Sequence, residues 1–182
     1  MIQLDKKQAR KIAKQARNAL NQTLRDCYSQ QIINKLQPYL FGKVALYKSY
    51  GSEVCVDALF ETCDYALPKV LDDTTIAFYQ PTTSYTLGAY DILEPISNEL
   101  VDPNDFDVIV IPLVAFDENC NRLGHGKGYY DRYLSKVKAL KIGVAFEVQK
   151  LESIEMNEYD IPLDYIISEK AIYQNNKMKK QK

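Results

Sequence analysis

FDVIVIPLVAFDENCNRLGHGKGYYDRYLSKVKALKIGVAF, residues 106–146, decides the fold of this chain. FDVIVI (106–111) is rich in β-branched residues and apolar on both faces, the pattern of a strand buried within a parallel sheet. A loop over 112–128 follows, then a helix predicted for Tyr129–Val137, then a second apolar strand, KIGVAF (141–146). Strand, helix and strand in that order predict a layered α/β sheet with helices on both faces. Such sheets bind ligands in the loops at the carboxyl ends of their strands.

The flanking sequence extends the same pattern. Ala9, Ile12, Ala13, Ala16 and Leu20 form one stripe at helical spacing, so residues 5–20 read as a helix. A second helix is expected from Thr23, with Asn21 as its cap, to the residue before Pro38. VALY (44–47), 65–68, 75–79 and 165–167 read as further strands and 53–62 as a helix. The stretch 81–105, broken by Pro81, Pro95 and Pro103, reads as irregular. The expected fold is therefore a three-layer αβα, Rossmann-like arrangement around a mixed, mostly parallel sheet. Residues 1–176 are expected to form one domain and 177–182 a basic, disordered tail.

The 182 residues carry a formal charge of −1, but the charge is segregated. Residues 1–17 hold a balance of +5 and KMKKQK (177–182) adds +4, while residues 49–121 set Lys69 alone against fourteen carboxylates. That acidic stretch is expected to form mostly solvated surface. No apolar run approaches the roughly 18–20 residues that span a bilayer, and the N-terminus lacks the apolar core of a secretory signal. The cysteines at 27, 55, 63 and 120 make no C-x-x-C pair, and His125 is the only histidine, so a zinc-finger pattern is excluded. Reduced, mostly buried thiols in a cytoplasmic protein are the expectation.

Three glycines alternate at 124, 126 and 128, interleaved with His125 and Lys127 and preceded by Arg122. Alternating glycine lets a backbone present successive N–H groups to an anion, and Arg122 and Lys127 supply the cations a phosphate needs. Neither the P-loop nor the dinucleotide fingerprint is met. A plain surface turn beside a solvated Arg/Lys pair is the alternative. Asp131 reads either as an acid offsetting the dipole of its helix or as a Mg²⁺ ligand beside bound phosphate. One ring of the Tyr129–Tyr130 pair is expected in the core, and His125 as a polar lining residue. Lys6, Arg10, Lys14 and Arg17 share one face of the first helix. That face is compatible with solvent, with RNA, or with a phosphate site on the protein's own body.

FDENCNRLGHGKGYYDRYL (116–134) resembles the signature of the 5-formyltetrahydrofolate cyclo-ligases, also called methenyltetrahydrofolate synthetases. The similarity continues in order through Lys6/Arg10, LYKSYGSEV (46–54), LPK (67–69), AYDILEP (89–95), AFEVQ (145–149) and YDIPLD (159–164). It implies ATP- and Mg²⁺-dependent closure of 5-formyltetrahydrofolate, with or without a polyglutamate tail, to 5,10-methenyltetrahydrofolate. The formyl oxygen would take the γ-phosphoryl group, N10 would attack the formyl carbon, and phosphate would leave. By the same resemblance Lys6, Arg10, Arg122, Leu123, Gly124, His125, Gly126, Lys127, Gly128, Tyr129 and Tyr130 would hold ATP. Arg122, Lys127 and Tyr129 would be catalytic. Arg10, Lys48, Glu53, Tyr90, His125, Gly126, Lys127, Gly128 and Tyr129 would contact the folate, and Asp131 and Asp160 the Mg²⁺. Cys120 departs from the family pattern by replacing a glycine. A monomeric enzyme without nucleic-acid or membrane partners is implied. An RNA-binding module built on the basic helix and lysine tail is the rival from another class, and a sugar-phosphate or nucleotide enzyme of similar architecture is a second.

Overall fold

The computed structural model describes residues 5–176, so the tail at 177–182 lies outside the described residues. Helix α1 spans Lys6–Ala19, with the Asp5 carboxylate accepting from Gln8 N at 2.7 Å, and α2 spans Gln22–Leu36, capped by Asn21. The main sheet uses β1 (Lys43–Ala45), β2 (Asp64–Val70) and β3 (Ile76–Tyr79). After the short strands β4 (Tyr85–Leu87) and β5 (Leu93–Pro95) come β6 (Val108–Pro112), β7 (Ala115–Phe116) and β8 (Arg122–Leu123). Helix α3 (Tyr129–Leu134), β9 (Leu140–Val144), β10 (Tyr165–Ile167) and β11 (Ile172–Gln174) complete the order.

Seven strands form the sheet in the order β11-β10-β9-β6-β1-β2-β3. The five inner strands are parallel, and both edge strands, β3 and β11, run antiparallel to their neighbours. The strand alternation of β6 divides the core in two. Val108 and Val110 join Val44, Ile142, Val144 and Ile167 beneath Ile32, Ile33 and Leu36 of α2. Ile109 and Ile111 face the other way, with Ala45 and Ile166, against Tyr133 and Leu134 of α3. Each such fully buried side chain contributes about 1.5–3 kcal/mol. The mixed three-layer α/β expectation therefore stands.

From β1 the chain proceeds to β2 and β3 on one side, whereas β6 lies on the other. The direction of winding reverses between β1 and β6, which opens a crevice beyond their carboxyl ends.

Several local expectations are corrected. Ile12 is 45% exposed rather than part of the buried stripe. The buried face of α1 is Ala9, Ala13 and Arg17, and the two alanines pack closely on Val114, Ala115 and Leu123. The helix expected over 53–62 shrinks to a 3-10 turn at Asp57–Glu61, because Val54 and Val56 are drawn into the core and Tyr47 Oη donates to Val54 O at 2.6 Å. The region 81–105 is not irregular throughout, since β4 and β5 pair as a hairpin. The 112–128 loop likewise contains the β7–β8 hairpin. Helix α3 stops at Leu134, where the chain tightens into i→i+3 bonds, Lys136 N to Tyr133 O and Val137 N to Leu134 O. Strand β11 was not expected. Among the described residues no disulfide forms, as expected, but Cys120 alone of the four cysteines is buried, while Cys27 lies on the exposed side of α2. The acidic stretch is not all surface either, for Asp117 and Glu94 are buried within it.

Cys120 occupies a left-handed conformation, φ 62°, that favours glycine. Its N–H donates to Asp117 O and its carbonyl accepts from Leu163 N, so the turn cannot relax freely. Strain relief in Cys120→Gly offsets the lost side-chain burial and the added chain entropy, and its stability should stay within about 1 kcal/mol of the parent. Cys120→Val, β-branched at the same φ, should fall roughly 2 kcal/mol below the glycine variant. Urea denaturation measures both; equal stability of the two would show that the backbone strain is absent.

Candidate active site

A cleft of about 910 Å³ opens at the crevice between β1 and β6. Its walls include Tyr47 and Lys48 after β1, Pro68 and Val70 of β2, Pro112 of β6, the whole glycine loop, and the start of α3. Every residue proposed above for ATP, folate or metal lines this one cleft, from Lys6 to Asp160.

Helix α1 turns its basic face inward. Arg10 Nε donates to Gly124 O at 2.8 Å, Lys6 pairs with Asp160, and Arg17 is buried with its Nε on Ser52 Oγ at 2.9 Å. On the far side of the loop Arg132 Nη2 donates to Lys127 O at 2.6 Å and its Nε to Thr74 O at 2.6 Å. The carbonyls of Gly124 and Lys127 are thus pinned by two arginines. Because a trans peptide sets its N–H opposite its C=O, the N–H groups of His125 and Gly128 point away from those arginines. Gly126 and Gly128 adopt φ 100° and 70°, conformations that side chains resist.

Arg122 lies beneath the loop with its side chain only 3% exposed. Its Nη2 donates to Asp131 Oδ1 at 2.7 Å, and its buried Nε has no partner among the described residues. Burial pushes the guanidinium below its ordinary range, and Asp131 opposes that shift. An unpaired, buried, cationic donor on a cleft wall suits a phosphate oxygen. Lys127, by contrast, is exposed at the loop's tip, 5.9 Å from the centre of the Tyr90 ring.

The carboxylates face the same space. Asp131 Oδ1 also accepts from Ile161 N at 3.2 Å, and Asp160 accepts from Asn157 N at 2.8 Å. Among the described residues no three His, Cys, Asp or Glu side chains gather as a cage. Two carboxylates on one cleft are what Mg²⁺ takes when phosphate oxygens complete its shell, so the donors fit that ion.

Glu53 does not begin a helix. It follows a turn, with its Oε2 accepting from Tyr50 N at 3.0 Å and its Oε1 meeting His125 Nε2 at 3.1 Å. His125 is therefore a polar lining residue, as expected, and its contact with Glu53 ties the glycine loop to the β1 side. The carboxylate of Glu53 and, above all, burial raise the pKa of the Tyr47 and Tyr130 hydroxyls, burial being the larger cause. Lys48 lines the cleft but is held by Asp57 and lies over the Phe60 ring. Tyr90 and Tyr129 bring their hydroxyls within 3.5 Å, and that contact pushes the Tyr129 hydroxyl up to about 12. Tyr129 and Tyr130 both line the cleft while packing, partly buried, against the core, whose buried neighbouring ring is Tyr133.

Tyr50, Glu94, Arg132, Asn157 and Tyr159 also line the cleft and were not anticipated. Arg132 sits just after the glycine loop and its charge was a signal, and Tyr50, Glu94 and Tyr159 fall within the segments that carry the resemblance but were given no role; only Asn157 had no signal.

Residues 3–169 match the family model described as the 5-formyltetrahydrofolate cyclo-ligase family. The chain is 35% identical to a 5-formyltetrahydrofolate cyclo-ligase of Mycoplasma pneumoniae, over 91% of this chain and 99% of the relative. Its fold is similar to the 5,10-methenyltetrahydrofolate synthetase of Aquifex aeolicus, with a TM-score of 0.83, 36% identity and coverage of 94% and 93% of the two chains. The Mycoplasma pneumoniae synthetase structure aligns with a TM-score of 0.77 at 34% identity, covering 91% of this chain and 99% of that one.

Proposed function

The chain belongs to the 5-formyltetrahydrofolate cyclo-ligase family, and from that premise we propose that its cleft binds ATP, Mg²⁺ and 5-formyltetrahydrofolate together and closes the folate ring. The convergence of Lys6, Arg10, Arg122 and Lys127 with the glycine loop, Glu53 and the tyrosines in one cleft carries this reading.

The loop and its four cations hold the triphosphate, with Arg122 beneath it and Lys127 at its tip. The formyl oxygen of the folate takes the γ-phosphoryl group and ADP leaves. N10 then attacks the activated formyl carbon and gives up its proton to the leaving phosphate or to water, and the C–O bond to phosphate breaks. Phosphoryl transfer of this kind asks for positioning and charge stabilisation rather than a protein nucleophile. When bound, Mg²⁺ offsets phosphate charge, and Asp131 and Asp160 are the residues that would hold it. Tyr90 and Tyr129 flank the folate. A folate group that occupies Glu53 Oε1 displaces His125 from it.

Following the absorbance of the methenyl product with purified protein tests the reading. Product should accumulate only with ATP and Mg²⁺ present, and absence of an ATP-dependent signal would overturn it. The enzyme reading is favoured over the RNA-binding alternative, because Lys6, Arg10 and Arg17 of the basic helix face the protein's own interior and cleft, while the lysine tail of that alternative lies outside the described residues.

A further inference from the structure

Glu94, in β5, is a mostly buried carboxylate, 9% exposed, on the wall of the cleft. Nothing in the phosphate chemistry uses it. Its Oε1 accepts from Val70 N at 2.9 Å, at the carboxyl end of β2, and among the described residues it has no ion-pair partner. A buried carboxylate without a cation is costly unless its remaining lone pairs find donors. Among the described residues Oε2 accepts no hydrogen bond.

The carboxylate lies directly over the α-carbon of Gly88. A Cβ built there would fall 2.1 Å from Glu94 Cδ and 2.4 Å from each of its oxygens. Gly88 thus leaves the space that the carboxylate fills, and any larger residue would expel it. Tyr90, Ile92 and Leu93 line the cleft from the same hairpin, and the Tyr90 hydroxyl meets Tyr129. Glu94 therefore sits among aromatic and aliphatic surfaces suited to a flat heterocycle, without an ion-pair partner among the described residues.

We propose that Glu94 is a second substrate-reading carboxylate, accepting ring N–H or amino donors of the pterin through its unoccupied oxygen, with Gly88 admitting it to the wall. This rests on the cyclo-ligase reading of the cleft. Glu53 already has both oxygens engaged, by Tyr50 N and His125, whereas Glu94 has a free acceptor. A fixed acceptor that gives up its water when a ligand seats discriminates strongly for ligands that carry the matching donor.

The test is the steady-state kinetics of Glu94→Gln and Gly88→Ala, with thermal melting of each. In Glu94→Gln one oxygen still accepts from Val70 N, while an amide NH₂ faces the ligand's donors. Its KM for 5-formyltetrahydrofolate should rise at least about tenfold, with the KM for ATP changing less than about twofold. Gly88→Ala keeps the charge but displaces it, and should give the same selective rise. An unchanged folate KM in Glu94→Gln would overturn the proposal. So would parallel rises for ATP and folate accompanied by a lower melting temperature, which would mark Glu94 as a structural clasp of the hairpin. If the parent protein itself makes no methenyl product, the cyclo-ligase reading fails instead, so the two failures are separable.

Discussion

Arg122→Ala should lose both stability and turnover. The guanidinium is 3% exposed and its carboxylate partner Asp131 is 24% exposed, so the substitution strands a half-buried charge and opens space beneath the glycine loop. Removing one partner of a buried ion pair costs about 3–5 kcal/mol. The partial exposure of Asp131 places this case near the lower figure, which in a chain of this size lowers the melting temperature by roughly 10 °C. Asp131 also accepts from Ile161 N, so the loss loosens the junction between α3 and the segment at 157–161. Turnover should fall at least about 10²–10³-fold, because the donor beneath the phosphate site is gone. Arg122→Met keeps much of the packing volume without the charge. It should recover part of the melting temperature and none of the turnover. Full activity in Arg122→Met would reduce Arg122 to a support for Asp131.

Lys127→Ala should separate the same two quantities. The ammonium is exposed beside the Tyr90 ring, so stability should move by less than about 0.5 kcal/mol. Yet the side chain stands at the tip of the loop as a point charge free to meet a phosphoryl group. Its loss should cut kcat by about 10²–10³-fold with an unchanged melting curve. Lys127→Arg should restore part of the activity, since the charge returns with a different donor geometry. Stability loss in Lys127→Ala without loss of turnover would assign the residue to loop structure.

These contrasting roles of Arg122 and Lys127 were not separable in sequence, where both read as cations flanking glycines. What was legible rested on strong local signals. The two-faced apolarity of 108–111 located the central strand, and the glycine spacing located the anion loop. The stripe at Lys6 and Arg10 was visible too, but three partners fitted it equally until Gly124 and Asp160 were seen opposite. Arg17 was placed on that same open face, and its burial against Ser52 Oγ brings in a residue 35 positions away that spacing could not reveal. The β4–β5 hairpin escaped because its turn uses Tyr90 and Asp91 at φ 61° and 58° without a glycine at either position. Left-handed turns normally advertise themselves through Gly or Asn. The burial of Glu94 depends on that hairpin, so it was hidden for the same reason.

The inward basic face of α1 also sets when the site can exist. Lys6 meets Asp160 across 154 residues of chain and Arg10 meets Gly124 across 114. At ordinary synthesis rates of about 5–20 residues per second, α1 leaves the ribosome on the order of ten seconds before its last partner. During that interval it is an undocked, positively charged amphipathic helix. The Lys6–Asp160 closure and the 157–161 wall of the cleft form only when those last residues arrive, so until then a nascent chain carries a cationic helix without its final partner.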